Sequence, residues 1–387
     1  MRENATRSTP HFLALDGLRG IAALFVVLLH VTAPFGLAAA IPHAQLAVDF
    51  FFLLSGFVIT HAYEGRLLSG MSLASFARIR LARLYPLYLL GLLIGITVYA
   101  AKTILVDRAP LGGNVALAAA SNLLMLPTVA ITQRGWNDIM PFDTPAWSLF
   151  FELLINAVYA AALPALSRRA LRVILAASAL VVFAQAYHLG SVTGGDTPEQ
   201  MVFGLGRVIY PFFFGVLLYR ARAFAAAAPS PPFLAVAALL ALSFLWNPPG
   251  PTWLFESLVV VFLYPLLVLW GTSCRVPARA ATFCRFAGEL SYPLYILHYP
   301  FVHLFSHLAK NSPSRQRGPV RSLPSKSSSR SCSPTRRRGS TTRPCVPGSA
   351  GSSGPDGHDI AIAGAAPAGV RFAGLMPAGI VRHDRAC

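Results

Sequence analysis

Blocks of apolar residues long enough to cross a lipid bilayer recur along this chain, and they constrain its fold more than any other feature. A membrane-spanning helix needs about 20 largely apolar residues. Such runs lie near 12–35, 45–63, 84–105, 147–166, 171–189, 203–219, 232–246, 252–271 and 286–307. The sequence is 55% hydrophobic and 12% charged, where a soluble domain carries about a quarter charged residues. In lipid, only helices and closed barrels satisfy their own backbone polar groups, and runs of this length are helical. The expected fold is all-α, a polytopic transmembrane helix bundle with about nine visible spans.

Loop charge supports this reading. Lys and Arg cluster in alternate connections. Arg2 and Arg7 precede the first run, and Arg66, Arg78, Arg80 and Arg83 follow the second. Arg168, Arg169 and Arg172 follow the fourth, Arg220 and Arg222 the sixth, and Arg275, Arg279 and Arg285 the eighth. The connections 36–44, 190–202 and 247–251 carry neither residue type. The loop 106–146 is mixed, with Arg108 and Arg134 against Asp107, Asp138 and Asp143. Its apolar part, 115–131, lies among Asn114, Asn122 and Pro127 and suits a re-entrant or interfacial helix. The alternation predicts a cytoplasmic N-terminus and nine crossings. Basic residues before an apolar run also fit a secretory signal. With Asp16 and Arg19 at the edge of that run and many spans beyond it, an uncleaved first helix is expected.

Residues 10–309 read as one membrane domain. From 310 to 387 the chain is rich in Ser, Arg, Pro and Gly without hydrophobic period. Such a segment cannot bury enough apolar surface to fold. Two origins stay open for it: a disordered basic tail, or out-of-frame translation replacing a last helix. The formal net charge of +17 divides into +7 for residues 1–309 and +10 for 310–387. The basicity therefore gives no argument for nucleic acid as a partner. Cys274, Cys284, Cys332, Cys345 and Cys387 match no zinc spacing and no disulfide framework. No metal and no tightly bound cofactor is expected.

Ionisable residues inside spans are costly and mark protein interiors or watery paths. The first run contains Asp16, Arg19 and His30. Eleven helical residues make three turns plus about 20°, so Arg19 and His30 share a face roughly 16 Å apart along the axis. Asp16, three residues before Arg19, can pair with it. A neutral imidazole at position 30 can take a proton from an attacking hydroxyl. Asp49 opens the second span, where Ser55 and Gly56 are small enough for close helix packing. Arg78, Arg80 and Arg83 suit phosphates, or simple positive-inside anchoring. Pro145 suits a helix start and Trp147 an interface. Ser148 lies four residues before Glu152, on one face, and Glu152 needs polar company such as Arg19 or His30. Arg207, Glu289, Tyr292 and His298 are further polar residues in later spans.

Five short patterns, in order, resemble the acyltransferase family 3 of integral membrane O-acyltransferases, which includes polysaccharide and O-antigen O-acetylases. Its Arg-x10-His signature matches Arg19 and His30, and its FFxxSGF matches Phe51–Phe57. Its RxxR-aliphatic-aromatic-Pro pattern matches Arg80, Arg83, Leu84, Tyr85 and Pro86. Its WSLxxE matches Trp147, Ser148, Leu149 and Glu152, and its SYxLYxxH matches Ser291 to His298. The family core has ten spans, one more than is visible here.

The resemblance implies transfer of an acyl group, acetyl foremost, from cytoplasmic acyl-CoA as co-substrate to a hydroxyl of an extracytoplasmic acceptor. That acceptor is a carbohydrate or a lipid-linked glycan, and the setting is a bacterial inner membrane. His30 acts as base or carries the acyl group, Arg19 steadies the donor, and Glu152 completes the catalytic set. Arg78, Arg80 and Arg83 hold CoA phosphates. Asp16, Asp49, Ser55, Trp147, Ser148, Tyr292 and His298 are the expected substrate-binding residues. Two other readings stand beside this one. A transporter or flippase would conduct along the same polar stripe, and inverted repeats, its usual sign, are not visible. An inactive, truncated family member would explain the missing tenth span.

Overall fold

The computed structural model describes residues 12–129, 138–221 and 230–310, with side chains to residue 305. The expected Ser/Arg/Pro/Gly-rich tail lies outside these residues. Among the described residues every regular element is helical. They are α1 (Leu13–Thr32), α2 (Ala47–Leu68), α3 (Leu73–Ala101), α4 (Gly113–Leu123), α5 (Ala146–Ala162) and α6 (Arg168–Leu189). They continue with α7 (Met201–Arg220), α8 (Phe233–Leu245), α9 (Thr252–Leu258), α10 (Tyr264–Ser273) and α11 (Ala278–Lys310). A π-helical turn, Val259–Leu263, joins α9 to α10 as one continuous segment.

Seven of the described segments are long and apolar enough to cross a membrane: α1, α2, α3, α5, α6, α7 and the joined α9–α10. Two of the nine expected spans differ. Helix α8 has 13 residues, about 20 Å at 1.5 Å per residue, against a hydrocarbon core of about 30 Å. Helix α11 has 33 residues, but Glu289, His298, two prolines and several tyrosines dilute its apolar run. The apolar stretch around 115–131 forms the 11-residue α4, too short to span. Asn122 anchors it, donating from Nδ2 to the Leu126 and Ile139 carbonyls at 3.1 and 3.2 Å.

Helix α3 starts eleven residues before the expected 84. The Ser72 hydroxyl accepts from the Ser75 amide at 3.2 Å and caps it. Pro86 then sits inside the helix rather than at its start, as membrane helices tolerate. Arg78, Arg80 and Arg83 are therefore helical, and the helical phase decides where each points.

Glycines set the closest crossings. On the α1–α11 face, a Cβ on Gly20 would collide with Ala287, and one on Gly288 with Asp16. Gly17 against Cys284 and Gly20 against Ala287 step along both chains in the same direction, so α1 and α11 run parallel. Where α2 crosses α7, Gly56 lies against the Phe212 carbonyl and Gly215 against the backbone of Leu53–Phe57. Close packing of this kind is what associates helices in lipid.

An ion pair fastens the same α2–α7 crossing near the start of α2. Arg207 donates to both Asp49 oxygens, Nη2–Oδ2 at 2.6 Å and Nε–Oδ1 at 3.2 Å. Both side chains are buried. Arg207 also donates to the Gly194 and Gln45 carbonyls at 3.1 and 3.2 Å, and its guanidinium lies 5.2 Å from the Trp147 ring centre. Removing one partner of a buried pair costs about 3–5 kcal/mol, because the other charge is left uncompensated. Asp49→Ala is therefore expected to lower stability by about that amount. Asp49→Leu combined with Arg207→Met, which removes both charges, is expected to lower it less. Thermal unfolding of the detergent-solubilised protein makes the comparison, and a double variant less stable than the single one contradicts this account.

Candidate functional site

A cavity of about 470 Å³ opens between α1, α2, α3, α5 and α11. Phe51, Phe52, Val58 and Ile59 of α2, with Leu84 and Leu149, give it one apolar wall. Its polar wall includes Arg19, Ser55, Arg80, Arg83, Ser148, Glu152, Glu289, Ser291, Tyr292 and Tyr295. Seven of the expected catalytic, donor-binding and substrate-binding residues therefore meet here: Arg19, Ser55, Arg80, Arg83, Ser148, Glu152 and Tyr292.

Arg19 and Glu152 are each positioned by helices other than their own. Arg19 donates from Nε to Ser291 Oγ at 2.8 Å and from Nη2 to the Gly288 carbonyl at 2.6 Å. Asp16 sits one turn before it, 3.3 Å from Nη2, and does not line the cavity. Glu152 Oε1 accepts from Arg80 Nη2 and from Ser55 Oγ, both at 2.9 Å. Its direct partners are thus Arg80 and Ser55, where the sequence pointed to Arg19 or His30. Gly56 packs the backbone while its neighbour Ser55 faces the cavity, so that dipeptide serves both ends.

Helix phase separates the three arginines of α3. Residues 80, 83 and 84 share a face, whereas 78 and 80 are about 200° apart. Arg80 is buried under Glu152, and its Nε meets no partner among the described residues. Arg83 lines the cavity and is exposed. Arg78 points away, exposed, 3.4 Å from Ser75 Oγ. Asp49 is occupied by Arg207, and Trp147 is buried against Phe52, Phe151 and Arg207. Neither lines the cavity.

His30 and His298 lie beyond it and touch each other. His30 Nδ1 is 2.9 Å from the Val26 carbonyl and 3.1 Å from His298 Nε2. His298 Nδ1 is 2.7 Å from the Tyr295 carbonyl and 3.1 Å from that of Leu294. Tyr299 packs edge-on against His30, ring centres 5.1 Å apart. Tyr295 connects the two regions. It lines the cavity, packs on Phe51 at 5.5 Å, and faces His298 at 6.3 Å between ring centres. Its hydroxyl is 2.7 Å from Ser148 Oγ and donates to the Pro145 carbonyl at 3.1 Å.

Two clusters escaped the sequence reading. Glu256, buried in α9, accepts from His43 Nδ1 (2.7 Å), Gln45 Nε2 (2.8 Å) and the Val192 amide (2.6 Å). It is an acid in an otherwise apolar run, which was signal enough to flag it. The second is the loop 138–145 before α5. Asp138 accepts from Thr144 Oγ1 at 2.6 Å. Asp143 is buried, and neither of its carboxyl oxygens has a partner among the described residues. Burial pushes both carboxyls up, that of Asp143 well above the usual range.

Comparison with known proteins gives the family of the chain. A family model described as "Acyltransferase domain" matches residues 12–322. The "Protein 2 in picA locus" of Rhizobium radiobacter is 39% identical over 184 residues, 45% of this chain and 94% of that protein. "Acyltransferase MdmB" of Streptomyces mycarofaciens is 33% identical over 153 residues, 36% of each chain. No solved structure matches.

The Asp143 carboxyl gives a pH prediction. Its raised value means the folded protein holds this proton more tightly than the unfolded chain, whose Asp titrates near about 3.9. Stability then falls as pH rises from about 4 towards the folded value. Asp143→Asn removes that loss. The variant is expected to melt at higher temperature than the native protein near neutral pH, with the difference shrinking at acid pH. Melting curves across that range test it, and equal melting temperatures at neutral pH would refute it.

Proposed function

The chain belongs to the acyltransferase domain family, and from that premise we propose that it moves an acyl group, acetyl foremost, from acyl-CoA to an acceptor hydroxyl across the membrane. The donor enters from the cytoplasm, on the side where α1 begins. The acceptor is a carbohydrate or lipid-linked glycan on the opposite side.

One observation carries this reading. A cavity lined by three guanidiniums has Tyr295 in its wall, and the Tyr295 ring faces His298, which touches His30. Donor chamber and base stand in series. Arg83, exposed at the cavity wall, offers its donors to the CoA phosphates. The apolar wall of α2 accommodates the pantetheine arm, and the roughly 16 Å of axial rise between Arg19 and His30 suits its extended length. His30 removes the proton from the acceptor hydroxyl as the oxygen attacks the thioester carbonyl. The tetrahedral intermediate collapses, the C–S bond breaks, and the CoA thiolate leaves to take up the proton. The products are the acyl ester and free CoA.

Arg80 and Glu152 neutralise each other at the wall. Arg19 is held by Ser291, Gly288 and Asp16. That pre-set geometry suits it to meet a donor at little reorganisation cost. Transfer of labelled acetyl from acetyl-CoA in membranes containing the chain tests the proposal. His30→Ala is expected to lower the rate about 10²–10⁴-fold, the usual contribution of a positioned base. Arg83→Ala is expected to raise KM for the donor about tenfold, from the loss of a charge-assisted hydrogen bond. Undiminished transfer by His30→Ala would sink the central assignment.

A further inference from the structure

We infer that His298 is a positioning residue: it holds His30 in the tautomer with Nδ1 protonated and Nε2 bare, so that Nε2 is the atom that takes the acceptor's proton. The catalytic part of this inference rests on the acyl-transfer reading. The tautomer itself rests only on geometry.

The hydrogen-bond pattern leaves one consistent assignment. His298 Nδ1 faces two carbonyl oxygens, those of Tyr295 and Leu294. Carbonyls only accept, so Nδ1 of His298 carries the hydrogen. In a neutral ring its Nε2 then offers a lone pair. That lone pair faces His30 Nδ1 at 3.1 Å, and the same nitrogen faces the Val26 carbonyl at 2.9 Å. Both neighbours of His30 Nδ1 are acceptors, so it too carries the hydrogen and shares it between them. His30 Nε2 is left unprotonated. The reverse arrangement sets lone pair against lone pair at three carbonyls, those of Tyr295, Leu294 and Val26. Each buried acceptor contact of that kind forfeits a bond that is costly to leave unmade.

Proton uptake distinguishes the two rings as well. A proton arriving at His30 Nε2 changes no existing bond, because Nδ1 keeps donating to Val26 and His298. A proton arriving on His298 instead would force His30 Nδ1 to become an acceptor and abandon Val26. The pair is pre-organised to accept charge at one atom, in the manner of a residue that orients a catalytic imidazole. Here the orienting group is neutral. It is fixed in turn by the Tyr295 carbonyl, and the hydroxyl of Tyr295 is held by Ser148 and Pro145. The chain of position thus runs from α5 through α11 to α1.

The test uses the full chain labelled with ¹⁵N-histidine in lipid, with the His30 resonances identified by their loss in His30→Asn. The native protein is expected to show His30 Nε2 as an unprotonated, pyridine-type nitrogen and Nδ1 as a protonated, pyrrole-type one. In His298→Leu the two tautomers are expected to mix, and kcat to fall roughly 10–100-fold, as when an outer partner of an active histidine is lost. The KM for the donor is expected to stay unchanged. His298→Gln, whose amide oxygen can accept from Nδ1, is expected to recover the single tautomer and most of kcat. A native His30 with Nε2 protonated in the neutral ring would overturn the inference. So would a His298→Leu variant with unchanged tautomer and kcat. A chain without transfer activity but with the expected tautomer would overturn the acyl-transfer reading and support the assignment of the imidazole.

Discussion

A guanidinium buried among membrane helices must have its charge met, and Arg207 shows how far that requirement reaches. Its carboxylate partner, Asp49, joins α7 to α2. Two further donations go to the carbonyls of Gln45 and Gly194, which fix two loops at the same end of the bundle. Gln45 continues to Glu256, which adds His43 and the Val192 amide. One buried ion pair therefore sets the crossing of α2 and α7 and the course of the chain around it. The cost of ions in lipid makes this arrangement close to all-or-none: each group is tolerable because every other is in place.

That crossing has a consequence for the site, because α2 presents its opposite face to the cavity. With Gly56 locked against Phe212, the residues at 51, 52, 55, 58 and 59 turn towards α3 and α5. The apolar wall is thus backed by a polar network, with Trp147 between Phe52 of the wall and Arg207 of the network. The facing wall carries three arginines against two glutamates, Glu152 and Glu289. Since Glu152 is engaged by Arg80 and Arg19 by Asp16, the surplus positive charge of the wall falls to Arg83. A low-dielectric chamber with that surplus favours an anionic ligand.

Much of this was legible residue by residue and little of it pair by pair. Hydropathy located the spans because the bilayer thickness fixes their length. It missed the start of α3 because it senses lipid depth, whereas the helix obeys the Ser72 cap. The Asp16–Arg19 pair was readable because both lie on one helix at a fixed spacing. Asp49 and Arg207 were each recognised as buried ions, yet 158 residues separate them, and no periodicity connects residues on different helices. Glu152 was correctly read as needing a polar partner, but the choice of Arg80 depends on how α3 lies beside α5. The same limit kept His30 and His298 apart in the sequence reading, with 268 residues between them.

What brings those histidines together is the absence of side chains elsewhere. Gly17, Gly20 and Gly288 let α1 and α11 approach until backbone meets side chain. Arg19 then closes the contact with Ser291 and the Gly288 carbonyl. Because the helices are parallel, closeness at this end is carried along both axes to the other, where His30 meets His298. The bonds that hold α1 to α11 are therefore also those that aim the imidazole. Arg19 serves stability and site geometry through one set of hydrogen bonds, so its loss would act on both at once. His298 acts further along the same pair of helices, beyond the contacts that close them, and its substitution separates the aiming of His30 from the packing that makes it possible.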